Sequence, residues 1–176
     1  MTFQNRTPEG EYVFALSVCT GYGAKDTHKD TAEPYATISP DAILGMVKEP
    51  PTVSKELGQW IIPSAYAAPD ARSHDAQRQR GSYLWLAADI DQGSPSLADL
   101  AAIVRGCLGA VCFVIYSSRS ATADNLKWRV LVPLAQPVAG ADYSAYQAAW
   151  FDALEAQGLT LDRTLERTGQ LGRVDV

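Results

Sequence analysis

The apolar run Tyr83-Leu84-Trp85-Leu86-Ala87-Ala88 passes directly into Asp89-Ile90-Asp91 and then Gln92-Gly93. Such a run, closed by a turn, predicts a buried strand that ends in two acids. Side chains alternate along a strand, so Asp89 and Asp91 share one face while Ile90 points into the other. At a rise of roughly 3.3 Å per residue their attachment points stand about 6 to 7 Å apart, within reach of one divalent cation or a pair. Two unpaired acids at this spacing repel. A hard cation, Mg²⁺ or Mn²⁺, removes the repulsion because oxygen ligands are what such ions prefer. The plain alternative is a solvated acidic turn.

The following residues build on this strand. Ser96 caps a predicted helix with Asp99 as the far member of a capping box; Leu97, Leu100, Ile103, Val104 and Leu108 carry the helical period, and Gly109 ends it. A second apolar strand, 111–116, runs into Ser117-Ser118-Arg119-Ser120, hydroxyls and a guanidinium suited to phosphate oxygens. In Lys127-Trp128-Arg129-Val130-Leu131-Val132-Pro133-Leu134, basic and apolar residues alternate as in a half-buried strand with a cationic face. Acids on one strand with hydroxyls and bases on the next two make the composition of a metal-nucleotide site.

The order of these three motifs resembles the catalytic domain of phage and plasmid primase-polymerases in the archaeo-eukaryotic primase superfamily, over residues 61–170. The resemblance implies an α/β (α+β) fold with a mixed, largely antiparallel, RRM-like catalytic sheet flanked by helices. It implies template-directed nucleotidyl transfer in DNA replication, with nucleoside triphosphates as substrates, a single-stranded DNA template and primer, and a helicase region or replication partner. It assigns Asp89 and Asp91 to Mg²⁺ or Mn²⁺, Ser118, Arg119, Ser120, Lys127 and Arg129 to nucleotide phosphates, and calls for a third acid after the later helix. Arg119 stands where the family's second motif most often has His, which keeps a cation and removes a titratable group.

Asp162 is the expected third carboxylate. Residues 159–163 read as a short extended segment, because Leu159 and Leu161 alternate with polar neighbours after a long helix (Tyr146, Ala149, Trp150, Ala153, Leu154) closed by Gly158. The rival acid, Asp142, suits that helix's cap. Asp162 also fits a surface ion pair with Arg163 or Arg167.

The rest of the chain is read as connection and core. A strand at 12–19, a glycine-rich turn at 20–25 without P-loop spacing, and a helix opened by Ser39 and Pro40 form an amino-terminal subdomain, 1–81, beside a catalytic module, 82–176. Residues 64–80 read as a partly helical or mobile loop in which His74 has no obvious partner, 135–140 as a loop, and His28 as a surface residue. Cys19, Cys107 and Cys112 lack Cys-x-x-Cys spacing and read as reduced core residues. The end of the chain suggests the front of a longer protein.

With 176 residues, 47% hydrophobic and 20% charged, the composition suits one globular domain. No apolar run approaches a membrane span, and no secretion signal opens the chain, so the expected location is the cytoplasm, that of the host cell if the chain is phage-encoded. A net charge of −5 counts against a protein that coats nucleic acid electrostatically and leaves locally steered binding through clusters such as Arg72, Arg78 and Arg80. Two other functions fit parts of the pattern. Asp89 and Asp91 with Ser117-Ser118-Arg119 also look like a haloacid-dehalogenase-type phosphatase, with Asp89 as nucleophile, but no late acidic pair follows Leu134. The other is a non-catalytic nucleotide- or nucleic-acid-binding module. A rolling-circle nuclease is disfavoured by the absence of a His-x-His pair.

Overall fold

In the computed structural model, residues 16–19, 35–49, 60–170 and 172–173 are described. The expected strand start at 12–15, the turn at 20–25 and His28 lie outside them. Along the chain run β1 (Leu16–Cys19), β2 (Tyr35–Ile38), α1 (Pro40–Lys48), β3 (Trp60–Ile62), α2 (His74–Arg80), β4 (Ser82–Ile90), α3 (Leu97–Leu108), β5 (Val114–Ser117), β6 (Trp128–Ala139), α4 (Gly140–Glu155), a 3-10 turn (Arg163–Glu166) and β7 (Gly172–Arg173). They make a mixed α+β fold with two sheets, β2-β1-β3-β7 and β4-β6-β5, in which every neighbouring pair is antiparallel. The first sheet takes its edge strand β7 from the far end of the chain, so the amino-terminal part is completed by residues 172–173.

The second sheet positions the acids. β4 and β5 flank β6 and run the same way, joined through α3, which is a split β-α-β arrangement. One face of β4, through Leu86, Ala88 and Ile90, packs with Val130 and Val132 against Leu100 and Val104 of α3 and Trp150, Phe151 and Leu154 of α4. The other face, through Trp85 and Ala87 with Leu131, Val114 and Tyr116, is covered by Ile43 of α1 and Ile61 of β3.

Several local expectations match. Ser39 accepts from the Ala42 N–H, with Pro40 opening α1, and Ser96 accepts from the Asp99 N–H at 3.1 Å. Gly109 closes α3 at φ 74°. Other expectations shift. The strand read at 111–116 begins at Val114, with Val111 and Cys112 exposed, so Cys112 is a surface thiol. Cys107 is half-buried, its Sγ 3.5 Å from the Ala153 carbonyl, and the side chain of Cys19 lies outside the described residues.

β6 continues through 135–139, read above as a loop, because Val138 and Ala139 pair with Tyr83 and Ser82 across an irregularity in the ladder. Its prolines, 133 and 137, lie beyond the reach of β5, where a missing N–H breaks no ladder on that side. Asp142 does not cap α4. The helix starts at Gly140, whose N–H is taken by the Gly81 carbonyl, leaving Asp142 in the first turn. A side chain at 140 is ruled out, since its Cβ would stand 1.9 Å from the Gln77 carbonyl oxygen of α2. His74 has a partner: Nδ1 donates to the Thr168 carbonyl, which ties α2 to the segment after the 3-10 turn.

Two glutamines, Gln77 and Gln147, are fully buried, which nothing in their sequence neighbourhood signals. Gln77 donates to the carbonyls of Tyr66 and Ala71, which orders the loop before α2. Gln147 of α4 brackets one residue of β4: Nε2 donates to the Ala87 carbonyl at 2.7 Å, and Oε1 accepts from the Ala87 N–H at 3.4 Å and the Tyr143 hydroxyl at 2.9 Å. Gln147→Leu leaves a strand N–H and C=O without partners in the core, and we expect it to lower the unfolding free energy by roughly 2 to 4 kcal/mol. Urea denaturation checks this against Tyr146→Ala, an exposed neighbour expected to change stability by less than about 0.5 kcal/mol.

Candidate functional site

The register of the three-stranded sheet places the candidate residues in rungs. Asp89 of β4 lies opposite Arg129 of β6, which lies opposite Tyr116 of β5. The Asp89 carbonyl accepts from the Asp162 N–H at 3.3 Å on the outer edge of β4, so its backbone points away from β6. Asp89 and Arg129 therefore face each other as a non-hydrogen-bonded pair, the arrangement that brings side chains closest, with Cα atoms about 4.5 Å apart. Arg129 Nε stands 3.5 Å from Asp89 Oδ2.

One rung further, Lys127 Nζ stands 3.5 Å from Asp91 Oδ1, and the Ser118 N–H donates to the Lys127 carbonyl at 2.9 Å. Residues 89 and 91, 127 and 129, and 116 and 118 are each two positions apart. All six side chains thus belong to one face at the end of the sheet, each rung reading acid, base, hydroxyl. Ile90 is fully buried among the core residues of the opposite face, as its alternation requires.

Loops brace this end. Trp128, on the opposite face from Arg129, donates its indole N–H to the Pro95 carbonyl at 2.8 Å. Ser94, at φ 40°, reaches the Leu126 carbonyl at 3.4 Å. These bonds join the turn after β4 to the loop before β6. At the end of β5, Ser118 is buried and its hydroxyl lies 3.1 Å from that of Ser120, while Arg119 and Ser120 are the exposed centre of a turn closed by the Ala121 N–H on the Ser118 carbonyl. Ser118, Lys127 and Arg129 are thus brought to the acids' face, whereas Arg119 and Ser120 sit on the rim.

Asp162 arrives as an extended segment, with Leu159 and Leu161 buried and Thr160 and Asp162 exposed. It meets Asp89 through its backbone. Its carboxylate caps the 3-10 turn, with Oδ1 accepting from the Thr164 N–H at 3.0 Å. The surface ion-pair alternative goes to Arg163, which engages Asp152, Glu155 and Glu166 instead.

Among the described residues no three His, Cys, Asp or Glu side chains form a ready-made metal-binding group. The donor set still fits a hard cation in one respect: Asp89 Oδ1 is buried and accepts no hydrogen bond. Burial pushes the Asp89 carboxyl above its ordinary value; the Arg129 guanidinium opposes the shift, and the charges of Asp91 and Asp162 add to it. A carboxylate so placed gains from any positive charge brought to Oδ1. Tyr116 is the site residue that periodicity hid. It reads as core and is buried, yet it completes the Asp89–Arg129 rung.

Compared with known proteins, no family model, curated protein or solved structure matches this chain.

The raised Asp89 carboxyl has a consequence for stability. The folded state holds this proton more tightly than the unfolded chain does. Its contribution is therefore complete below the unfolded value, near pH 3.9, and is lost as pH rises through the folded value. Asp89→Asn keeps the shape without the charge. Its unfolding free energy relative to wild type is expected to rise as pH rises from about 3.9 through the folded value, in the variant's favour. Paired denaturant titrations measure the difference, and a variant that loses ground over that interval contradicts the burial argument.

Proposed function

We propose that the chain is a metal-dependent nucleotidyltransferase of the primase-polymerase kind, adding nucleoside triphosphates to a primed single-stranded DNA template, with its active site on the rungs at the end of β4. The observation that carries this reading is the six-residue face: two acids, two bases and two hydroxyl-bearing residues in register. Nucleotidyl transfer asks the protein mainly for positioning and charge stabilisation, and this face supplies groups of both signs within one small area.

Asp89 and Asp91 would hold Mg²⁺ or Mn²⁺, with Asp162 beside them; a bound cation would neutralise triphosphate charge and favour ionisation of the attacking hydroxyl. The protein's own residues do the rest. Arg129 of β6 and Lys127 just before it donate to phosphate oxygens, Arg129 through a planar fork and Lys127 as a point charge. The Ser118 hydroxyl donates from just past the end of β5, with Ser120 orienting it, and Arg119 reaches the outer phosphates from the rim.

One observation favours a second reading. Each acid already faces a base, Asp89 with Arg129 and Asp91 with Lys127, which is how a non-catalytic nucleotide-binding face would settle its charges. Primer extension with Mg²⁺ or Mn²⁺ separates the two. The catalytic reading expects extension by the wild-type chain and a loss on the order of a thousandfold in Asp89→Asn and Asp91→Asn, with the fold intact by circular dichroism. Triphosphate binding without extension by the wild type favours the binding module. Phosphate release from a small phosphomonoester points to the phosphatase. Arg119→Ala is expected to weaken triphosphate binding, and the wild-type affinity to show no histidine-like step near pH 6 to 7 beyond those of the nucleotide and metal.

A further inference from the structure

The two ion pairs at the sheet's end join the very groups that the proposed reaction needs turned toward other partners. Both are long. Arg129 aims Nε and Nη2 at a single oxygen, Asp89 Oδ2, each at 3.5 Å, and Lys127 Nζ is 3.5 Å from Asp91 Oδ1. Tight charged hydrogen bonds close to about 2.7 to 2.9 Å. Asp89 Oδ1 keeps unused acceptor capacity beside its ion pair. The side chains of Arg129, Asp89 and Lys127 are 12%, 21% and 22% exposed, so their charges are only partly screened, while Asp91 at 53% opens to solvent.

We propose that these are exchange pairs: Lys127 and Arg129 neutralise the acids only until a divalent cation and a nucleoside triphosphate bind together, when the acids pass to the cation and the bases to the phosphates. The proposal rests on the assignment of acids to cation and bases to phosphate made above. It adds a coupling. A cation arriving alone must displace two bases and leave their charges facing it, and an anion arriving alone must leave two acids facing it. Arriving together, every charge finds an opposite. Each ligand therefore tightens the other by the same factor, beyond their association in solution, as linkage requires.

The test titrates Mn²⁺ into the full chain, reading the free-ion paramagnetic resonance signal with and without a saturating non-hydrolysable nucleoside triphosphate. Mn²⁺ bound by the analogue in solution is measured separately and subtracted. Wild type is expected to bind Mn²⁺ about tenfold or more tightly with the analogue present. Lys127→Met removes one competing base, so it is expected to bind Mn²⁺ alone about two- to fivefold more tightly than wild type. Its coupling should fall to about twofold or less, while Lys127→Arg keeps the wild-type coupling.

A Lys127→Met chain that gains Mn²⁺ affinity but retains the full coupling makes the lysine a bystander acting through its general field, and overturns the proposal. So does a wild type in which the two ligands bind independently. Failure of the underlying assignment looks different: Mn²⁺ binding that is absent, or indifferent to Asp89→Asn, whether or not the analogue is present. That result overturns both.

Discussion

The structure depends on β4 being hydrogen-bonded on both edges. On one side runs β6. On the other, the Leu84 N–H goes to the Pro63 carbonyl and the Ser82 carbonyl receives the Ala65 N–H; Ala87 is bracketed by Gln147, and the Asp89 carbonyl receives the Asp162 N–H. A strand this apolar, buried on both faces, cannot leave its backbone groups without partners. Segments from three parts of the chain are recruited to its outer edge, and the last of them is the one that carries Asp162. The convergence of distant acids is thus a by-product of satisfying one strand.

The same constraint explains the chemistry at its end. Beyond Ile90 the core stops, and the covering face formed by Ile43 and Ile61 packs against Trp85 and Ala87 in the body of the strand. Asp89 lies at the margin, buried enough for its proton affinity to rise. Asp91, two residues on, is in the open. One acid is thus held in a low-dielectric setting and the other in water, although they share a face. β6, supplying Arg129 and Lys127 in the same register, answers both charges.

What could be read from the sequence follows from which signals are local. β4, α1 with its Ser39-Pro40 start and α3 with its Ser96 cap and Gly109 stop announce themselves through nearest neighbours, and the shared face of Asp89 and Asp91 follows from alternation alone. The Leu159/Leu161 alternation marked the extended return that brings Asp162 alongside β4. The rest depended on contacts distant in sequence. Gln147 looks like any polar residue in a mixed helix until Ala87 is seen beside it. Asp142 loses the cap because Gly81 reaches Gly140, and Asp162 gains one because a 3-10 turn follows it. The strand at 135–139 is invisible as periodicity, since Pro137 makes it read as a loop and only the start of β4 explains its pairing. The acids' ion pairs could not be foreseen from β4 alone, because they require the register with β6.

If the face carrying Asp89 and Asp91 is where a divalent cation binds, a paramagnetic ion will report it. Amide resonance spectra of the folded chain titrated with Mn²⁺ test it most directly, since a paramagnetic ion broadens the signals nearest to it. Broadening is expected to begin at Asp89, Ile90, Asp91 and Asp162, to extend to Lys127 and Arg129, and to disappear in the Asp89→Asn/Asp91→Asn double variant. Broadening centred on the Asp152, Glu155 and Glu166 cluster instead, or a pattern unchanged in the double variant, would contradict it.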